Sequence, residues 1–431
     1  MKNINSNKLV SLIFTFILFA CSKDFLETEP TQYISAKQIA EASKLNPKLQ
    51  AANMSGVYGF MYSTGVGGTT RQDDFGHRGI DLYTDMLSSD LTMPGSRYGW
   101  YRSLLQLTST TDYTQSVNYI PWRYFYRIIR GTNTVIDGLG GTDTTPENDD
   151  AKAYMGQAKA LRAYGYFYLA NLFSNEYNPS EPILPLYTNS TDPNLGLSKT
   201  EEVYKQIIKD LEEAIVLLDK FKRNAKSDIN KEVAQGLLAY AALTVGDYNK
   251  SAAASKAVLD SGNFQLMDKE EVVGGFNDIA TSGWMWGVDL TLDIGLDLVS
   301  WWGMCDIYTF SYASFGDPKI MDQGLFDKID KDDIRKTQFL DNPNDPLHLV
   351  PYKKFYHEDR KFRGQRNITS DYFYMRVAEM YLLNAEANAR DGNDTAAKSS
   401  LKALLAERLP DTSYIDTLSG KALLDEIYLQ I

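Results

Sequence analysis

Apolar residues recur with the period of an α-helix along much of the chain. Between residues 151 and 173 they form one stripe, which consists of Met155, Ala158, Leu161, Gly165, Leu169 and Leu172. A second stripe follows Thr200 and consists of Val203, Ile207, Leu211, Ile215 and Leu218. Residues 122–139 show the same period. The pattern predicts amphipathic helices in these three segments, with an extended, proline-rich connection over residues 179–193.

Residues 239–259 and 385–405 are two copies of one pattern. Direct alignment pairs Ala239 with Ala385 and Gly246 with Gly392. Each copy predicts a helix that ends at glycine, a polar turn and an alanine-rich helix, because glycine readily adopts the left-handed conformation that closes a helix. The unit resembles a tetratricopeptide helix-turn-helix. We therefore predict a mainly α fold: a tetratricopeptide-like scaffold with a large irregular, loop-rich face built from residues 63–115 and 262–370.

The N-terminus has the pattern of an export signal. Lys2 and Lys8 precede an uncharged apolar run, residues 9–20, which is shorter than the roughly 20 residues that span a bilayer. The run ends at Ala20-Cys21, which resembles the lipobox of bacterial lipoproteins. We predict a signal peptide over residues 1–20, lipidation at Cys21, and attachment to a membrane by lipid alone. Ordinary secretion with an incidental cysteine is the alternative.

Charge and cysteine content narrow the class further. Loss of Lys2 and Lys8 takes the formal charge from −12 to −14, which disfavours nucleic acid as a partner. Apart from Cys21 the only cysteine is Cys305, so no intramolecular disulfide is expected in the mature chain, and we interpret Cys305 as a buried thiol. Aromatic residues make up 12% of the chain, a content that suits both a large core and a stacking surface for ligands.

The order of several segments resembles the SusD/RagB family of outer-membrane nutrient-binding lipoproteins. The most specific are residues 158–173 (AKALRAYGYFYLANLF), 203–215 (VYKQIIKDLEEAI) and 371–390 (DYFYMRVAEMYLLNAEANAR). The resemblance implies a glycan-binding, or for some members peptide-binding, lid on a TonB-dependent (SusC-like) transporter. It divides the chain into an N-terminal region, 21–230, and a C-terminal region, 231–431. In the family the helix near residue 430 continues into a further segment, so a C-terminal truncation is expected.

Sequence motifs give little support for catalysis. The histidines His77, His348 and His357 lack metal-ligand spacing, and we predict neither a metal nor a cofactor. Asp73-Asp74 and residues 88–90 are compatible with calcium binding or acid–base pairs, but such runs are more often solvated loops. Paired carboxylates of a glycosidase leave no sequence signature, because their pairing is spatial. A surface hydrolase is accordingly the least favoured class.

Two aromatic clusters outside the predicted helices suit sugar binding, which needs flat apolar faces with polar groups at their rim. The candidate ligand-binding residues are Tyr98, Trp100, Tyr101, Trp301, Trp302 and Tyr308. Tyr312 lies next to the second cluster, and Trp284 and Trp286 have the alternation of a strand. For each ring a structural role is the alternative. If the Trp301-Trp302 pair is extended, its two rings point in opposite directions and at most one of them stacks on ligand.

These features lead to one preferred function and one alternative. The preferred hypothesis is a surface-exposed, non-catalytic lipoprotein that captures oligosaccharide or polysaccharide and delivers it to the transporter. The alternative is a helical scaffold, or a peptide-binding lipoprotein, that has no glycan ligand.

Overall fold

The computed structural model describes residues 38, 41–42, 46–364 and 366–430. The signal peptide and Cys21 predicted above lie outside the described residues. The α-helices are α1 (Gln50–Phe60), α2 (His77–Leu87), α3 (Arg102–Leu105), α4 (Ser116–Gly138), α5 (Asp149–Leu172), α6 (Thr200–Leu217), α7 (Lys231–Thr244), α8 (Tyr248–Asp260), α9 (Lys269–Val272), α10 (Trp301–Cys305), α11 (Gln323–Lys328), α12 (Val377–Arg390), α13 (Asp394–Leu405) and α14 (Gly420–Gln430). The prediction of a mainly α fold is confirmed.

The long helices pack in an array that mostly follows chain order. Helix α5 packs between α4 and α6, α6 packs on α7, and α8 packs between α7 and α12. A buried ion pair joins α5 to α6, where Arg162 donates to both carboxylate oxygens of Asp210 (2.8 and 2.7 Å). Arg162 also donates to Asn133 Oδ1 of α4 (2.9 Å) and to the carbonyl of Thr188 (2.9 Å). One side chain therefore links three helices to the connection that follows α5.

The two predicted repeat units form the helix pairs α7–α8 and α12–α13. Gly246 and Gly392 have φ angles of +80° and +81°, and each closes the first helix of its pair. Asp247 and Asn393 cap the second helices by accepting hydrogen bonds from Lys250 N (3.1 Å) and Ala396 N (3.2 Å). Although the units are 146 residues apart, they are neighbours in space, because α8 packs directly on α12. The loop-rich segment between them is an insertion in the array.

The described strands are short and form three antiparallel pairs, one of which fastens that insertion to the scaffold. The described strands are β1 (Leu91–Thr92), β2 (Pro182–Leu184), β3 (Ser198–Lys199), β4 (Trp284–Val288), β5 (Ile320–Met321) and β6 (Tyr372–Arg376), which pair as β1–β5, β2–β3 and β4–β6. In the longest pair Trp284 faces Arg376 and Val288 faces Tyr372. Because β6 runs directly into α12, this pair holds the insertion against the repeat helices.

Two large hydrophobic clusters account for most of the core. The first runs along the helical array and contains residues of both regions named above, 21–230 and 231–431. The second lies under the loop-rich face and joins α2 and α3 to residues 288–305 and 368–372. None of the helices among the described residues is both long and apolar enough to cross a membrane. The second cluster gives the loop-rich face a hydrophobic core that is separate from the core of the helical array.

Candidate functional site

Three rings from two distant loops meet at the surface above the second cluster. Tyr98 is 46% exposed, and its ring centroid lies 5.3 Å from that of Tyr312 in an edge-on arrangement. The indole of Trp100 lies 6.4 Å from Tyr312 and is half-buried. The Arg71 guanidinium lies 5.1 Å from the centroid of the Trp100 ring and covers part of it. These rings offer flat apolar surface of the kind that packs on the C–H side of a sugar ring.

A buried carboxylate holds these two loops together. Asp317 is 1% exposed and accepts hydrogen bonds from the backbone N–H groups of Arg97 (2.5 Å) and Tyr98 (3.1 Å). Gly316, immediately before it, has a φ of +123° and lies close to the Arg97 side chain, a place where a Cβ would meet Arg97 Cδ at 3.1 Å. The positions of Tyr98 and Tyr312 are therefore set by hydrogen bonds buried beneath them, and ligand binding would need little reordering.

The same surface continues onto a second group of rings. Phe310 is 42% exposed and packs on Phe315 with the ring centroids 4.8 Å apart. Phe362 is 51% exposed. The guanidinium of Arg363 lies close to two rings of this group, 4.7 Å from the centroid of Phe362 and 4.0 Å from that of Phe315. We call this surface the aromatic face; its rings are Tyr98, Trp100, Phe310, Tyr312, Phe315 and Phe362.

Three of the residues proposed from the sequence lie in the core instead. Tyr101, Trp301 and Trp302 are 1%, 3% and 1% exposed. The sequence interpretation considered an extended Trp301-Trp302 pair. In the structure the pair instead begins the short helix α10, where Ser300 Oγ accepts a hydrogen bond from Gly303 N (3.1 Å). We remove these three residues from the proposed site, because no face of their rings reaches solvent. Trp284 and Trp286 do lie on a strand, β4, and are buried as well.

Tyr308 is half-buried and belongs to a neighbouring stack of rings. Its hydroxyl accepts a hydrogen bond from Arg360 Nη2 (3.0 Å), and the same guanidinium lies 4.1 Å from the ring of Tyr356. Asp306 holds the loop by accepting from Tyr308 N (2.8 Å) and His357 N (3.2 Å). Burial raises the pKa of the Asp306 carboxyl to about 6, although these hydrogen bonds oppose the shift. Tyr308 stays in the proposed site at its rim.

A cavity of about 430 Å³ borders the aromatic face. It is lined by residues 62–64, Gln72 and residues 294–299. Gln72 follows Arg71, which lies over Trp100, and the carbonyl of Leu298 accepts a hydrogen bond from Ser311 Oγ (2.9 Å), so residues that line the cavity neighbour residues of the face. The side-chain oxygen of Gln72 is buried and has no hydrogen-bond partner.

Asp73 and Asp74, the paired carboxylates noted in the sequence, have structural roles in the described chain. Asp74 accepts from Gly67 N (2.8 Å) and Thr69 Oγ1 (2.8 Å), and Asp73 pairs with Arg71 through two hydrogen bonds (2.8 and 2.6 Å). These carboxylates order the glycine-rich loop beside Trp100. Over residues 46–364 and 366–430, no three His, Cys, Asp or Glu side chains are grouped to hold a metal ion.

A larger cavity, of about 720 Å³, lies beside α14. Its lining combines charged groups such as Lys354 and Glu426 with aliphatic side chains and two tyrosines. Both tyrosine hydroxyls are already engaged: that of Tyr414 donates to Glu426 (2.8 Å), and that of Tyr428 accepts from Arg390 (2.6 Å). Its exposed rings are these two tyrosines, whereas six rings from three loops adjoin one another at the aromatic face, so we place the candidate glycan site at the latter.

Phe310, Phe315, Phe362 and Arg363 were missed by the sequence interpretation. Residues 361–366 read KFRGQR, and a glycine-containing loop that mixes basic and aromatic residues was an available signal. The contact of this loop with Phe315 could not be foreseen, because it joins residues 48 positions apart.

Comparison with known proteins identifies relatives for both halves of the chain. A family model described as starch-binding and associating with the outer membrane matches residues 76–243, and the model of the SusD family matches residues 341–412. A SusD-like carbohydrate-binding protein from Bacteroides vulgatus has 28% identity and a TM-score of 0.74, with 88% of this chain and 79% of that one covered. A laminarin-binding SusD-like protein has 20% identity and a TM-score of 0.67, over 88% and 87% of the chains.

A curated relative, SusD-like protein P25 from Formosa agariphila, is 22% identical over 213 residues. The match covers 48% of this chain and 37% of the relative, so this chain accounts for little more than a third of that protein's length.

Proposed function

Because the chain belongs to the SusD family, we propose that it is a non-catalytic protein that captures oligosaccharide or polysaccharide nutrients at the aromatic face. The observation that carries this proposal is the set of adjacent surface rings Tyr98, which is exposed, and Trp100 and Tyr312, which are half-buried; Asp317 holds the loop of Tyr98 from below. Rigid rings lose little conformational entropy when they bind, and they accept many sugars because every pyranose has an apolar face.

The cavity beside the rings supports the same proposal. Sugar hydroxyls need polar partners near a stacking surface. Gln72 lines this cavity, and Tyr308 adjoins the loop of Phe362, where its carbonyl accepts from Gly364 N (3.0 Å). The laminarin-binding relative shares the fold at 20% identity, which leaves the sugar bound by this chain open. Specificity then depends on the loops 94–101, 308–317 and 361–364, whose sequences carry no motif for one glycan.

Retardation in native gels that contain single polysaccharides tests the proposal. We expect one or more glycans to retard the wild-type protein, and Trp100→Ala and Tyr98→Ala to weaken binding by roughly tenfold each. Tyr428→Ala is the matched control, because Tyr428 is 42% exposed and also lies beside an arginine, but belongs to α14. Failure of every glycan to retard a protein shown to be folded by circular dichroism would exclude this function and favour a peptide ligand or a pure scaffold.

We further propose that the protein is anchored by lipid on Cys21 and delivers its ligand to a SusC-like, TonB-dependent transporter. The N-terminal sequence supports the anchor, and the pairing with such transporters is general in the family. Cys21→Ala in the full chain should abolish labelling by a radioactive fatty acid and release the protein from the membrane fraction. Affinity purification of the lipidated protein should recover a TonB-dependent channel; recovery of no outer-membrane protein would contradict the delivery role.

A further inference from the structure

The aromatic face is basic, although the chain as a whole has a formal charge of −12. Arg97, Arg102 and Arg363 are exposed on it or at its edge. Over the described part of the chain, none of these three guanidiniums has a carboxylate within ion-pair distance, whereas Arg71 pairs with Asp73 and Arg366 with Asp297. The unpaired positive charge of this surface is therefore concentrated where the exposed rings are.

Two carboxylates from the same loops as these arginines and rings are occupied inside the fold. Asp317 is buried and accepts from backbone N–H groups, and Asp306 is buried and holds the Tyr308 loop. The exposed Asp359 lies 3.8 Å from the ring nitrogen of His357 instead of contacting an arginine of the face. Among the described residues, none of these three carboxylates forms an ion pair with Arg97 or Arg363.

Both guanidiniums are held by stacking and by backbone carbonyls, which leave donors unused. Arg363 lies 4.0 Å from the Phe315 ring and donates Nε–H and one Nη2–H to the carbonyl of Ser314 (3.0 and 2.5 Å). Arg97 donates from Nη1 to the carbonyl of Phe315 (3.3 Å). A guanidinium has five N–H donors, so each keeps at least three for a ligand. Its planar fork matches the oxygens of carboxylate and sulfate groups.

We propose that the ligand of the aromatic face is an anionic polysaccharide, whose sugars stack on the rings while their carboxylate or sulfate groups bind Arg97 and Arg363. This inference rests on the proposed function, since it names the class of glycan captured at the same site. The negative charge of the rest of the molecule does not oppose it strongly, because salt screens charges beyond about 8 Å under physiological conditions. A neutral glycan would leave the unused N–H donors of both guanidiniums without a charged partner.

Two pairs of polysaccharides that differ only in charge test the inference: polygalacturonate with its methyl ester, and dextran sulfate with dextran. We expect the full-length protein to bind at least one charged member with a Kd at least tenfold below that of its neutral partner. Raising NaCl from 50 to 500 mM should weaken that binding, as expected for contacts made by charges. A preference for polygalacturonate over its methyl ester would indicate recognition of uronate, and a preference for dextran sulfate over dextran would indicate recognition of sulfate.

Matched variants assign the effect to the two arginines. The double variant Arg97→Gln, Arg363→Gln should bind the charged polysaccharide roughly tenfold more weakly, while Arg127→Gln with Arg130→Gln, which removes equal charge from exposed positions of α4, should not change the Kd. Arg363→Lys keeps the charge and should retain more binding than Arg363→Gln. Thermal unfolding of each variant checks that the fold is intact.

Each remaining outcome decides against a particular claim. Equal affinity for charged and neutral members would overturn this inference and leave the proposed function standing. Absence of binding to any polysaccharide, including laminarin, would overturn both. If the protein bound an oligothymidylate of matched charge as tightly as the charged polysaccharide, the surface would be a general polyanion-binding surface, and the inference would also be overturned.

Discussion

Tyr98, Trp100 and Tyr101 are neighbours in the sequence, yet only the first two reach the surface. Tyr101 has a φ of +63°, an unusual conformation for a bulky residue, and its ring turns inward to lie edge-on to Tyr83 at 5.8 Å. The sequence indicated an aromatic loop correctly, but it could not indicate which rings face solvent. That choice depends on the backbone angle of Tyr101 and on Asp317, 216 residues away, which fixes the loop.

Lys319 beneath this loop gives a prediction about charge. It is fully buried, donates to the carbonyl of Asp317 (3.2 Å) and lies 4.6 Å from the Tyr101 ring, and burial lowers its pKa to about 8 from the usual 10.5. Below pH 8 the Lys319 ammonium is charged in the folded protein, and burying that charge costs free energy. Lys319→Met should therefore raise the free energy of unfolding at pH 7 by about 1–3 kcal/mol.

The same pKa predicts how that difference depends on pH. Between pH 8 and 10.5 the folded protein has released the Lys319 proton while the unfolded chain still holds it, so the stability of the wild type rises with pH across this interval. The advantage of Lys319→Met should therefore shrink from pH 8 to 10.5 in urea unfolding. Lys361→Met, at an exposed position, is the control; an advantage constant with pH would contradict the assignment.

At the scale of elements, the repeat pairs were predictable because their signals are local. A glycine that ends one helix and a capping residue that begins the next occur within a few positions of each other, as Gly246-Asp247 and Gly392-Asn393 show. The helix at Trp301 also had a local signal, since Ser300 is an N-cap residue. The remaining helices of the array resemble the repeat units in packing but not in sequence, so only the structure showed that the array includes α4–α6.

Gly392 provides a prediction for the turn between α12 and α13. Its φ is +81°, and a Cβ built there would meet no atom within 4 Å, so Gly392→Ala would suffer from backbone strain alone. We expect a loss of about 1–2 kcal/mol in the free energy of unfolding. Gly56→Ala is the matched control: it also has open space, but it lies inside α1 and should stabilise the protein by about 0.5–1 kcal/mol. Equal effects of the two variants would refute the turn's conformational requirement.

The ion pair between α5 and α6 yields a second prediction at this scale. Arg162 and Asp210 are both fully buried, so Arg162→Met or Asp210→Leu alone leaves an uncompensated charge and should cost about 3–5 kcal/mol. The double variant removes both charges and should be more stable than either single variant, although Asn133 and the Thr188 carbonyl lose a donor. Urea unfolding of the four proteins forms a double-mutant cycle, and additive losses would contradict a coupled pair.

For the whole molecule, the loop-rich face and the helical array have separate cores, and this separation allows binding and stability to be distinguished. Trp301 belongs to the core below the face, with its ring 4.6 Å from Phe355 and 4.4 Å from the Arg78 guanidinium. Trp301→Ala should therefore lower the free energy of unfolding by about 3–5 kcal/mol. Trp100→Ala, at the half-buried surface, should cost less stability but most of the glycan binding.

Measuring both quantities on both variants separates the two roles. At a temperature well below its unfolding midpoint, the Trp301→Ala protein should retain glycan binding within about threefold of the wild type, because the Asp317 hydrogen bonds that position Tyr98 remain. Trp100→Ala should show the converse, near-normal unfolding and roughly tenfold weaker binding. If Trp301→Ala abolished binding in a protein that is still folded, the core below the face would itself set the geometry of the rings, and the two cores would not be separable.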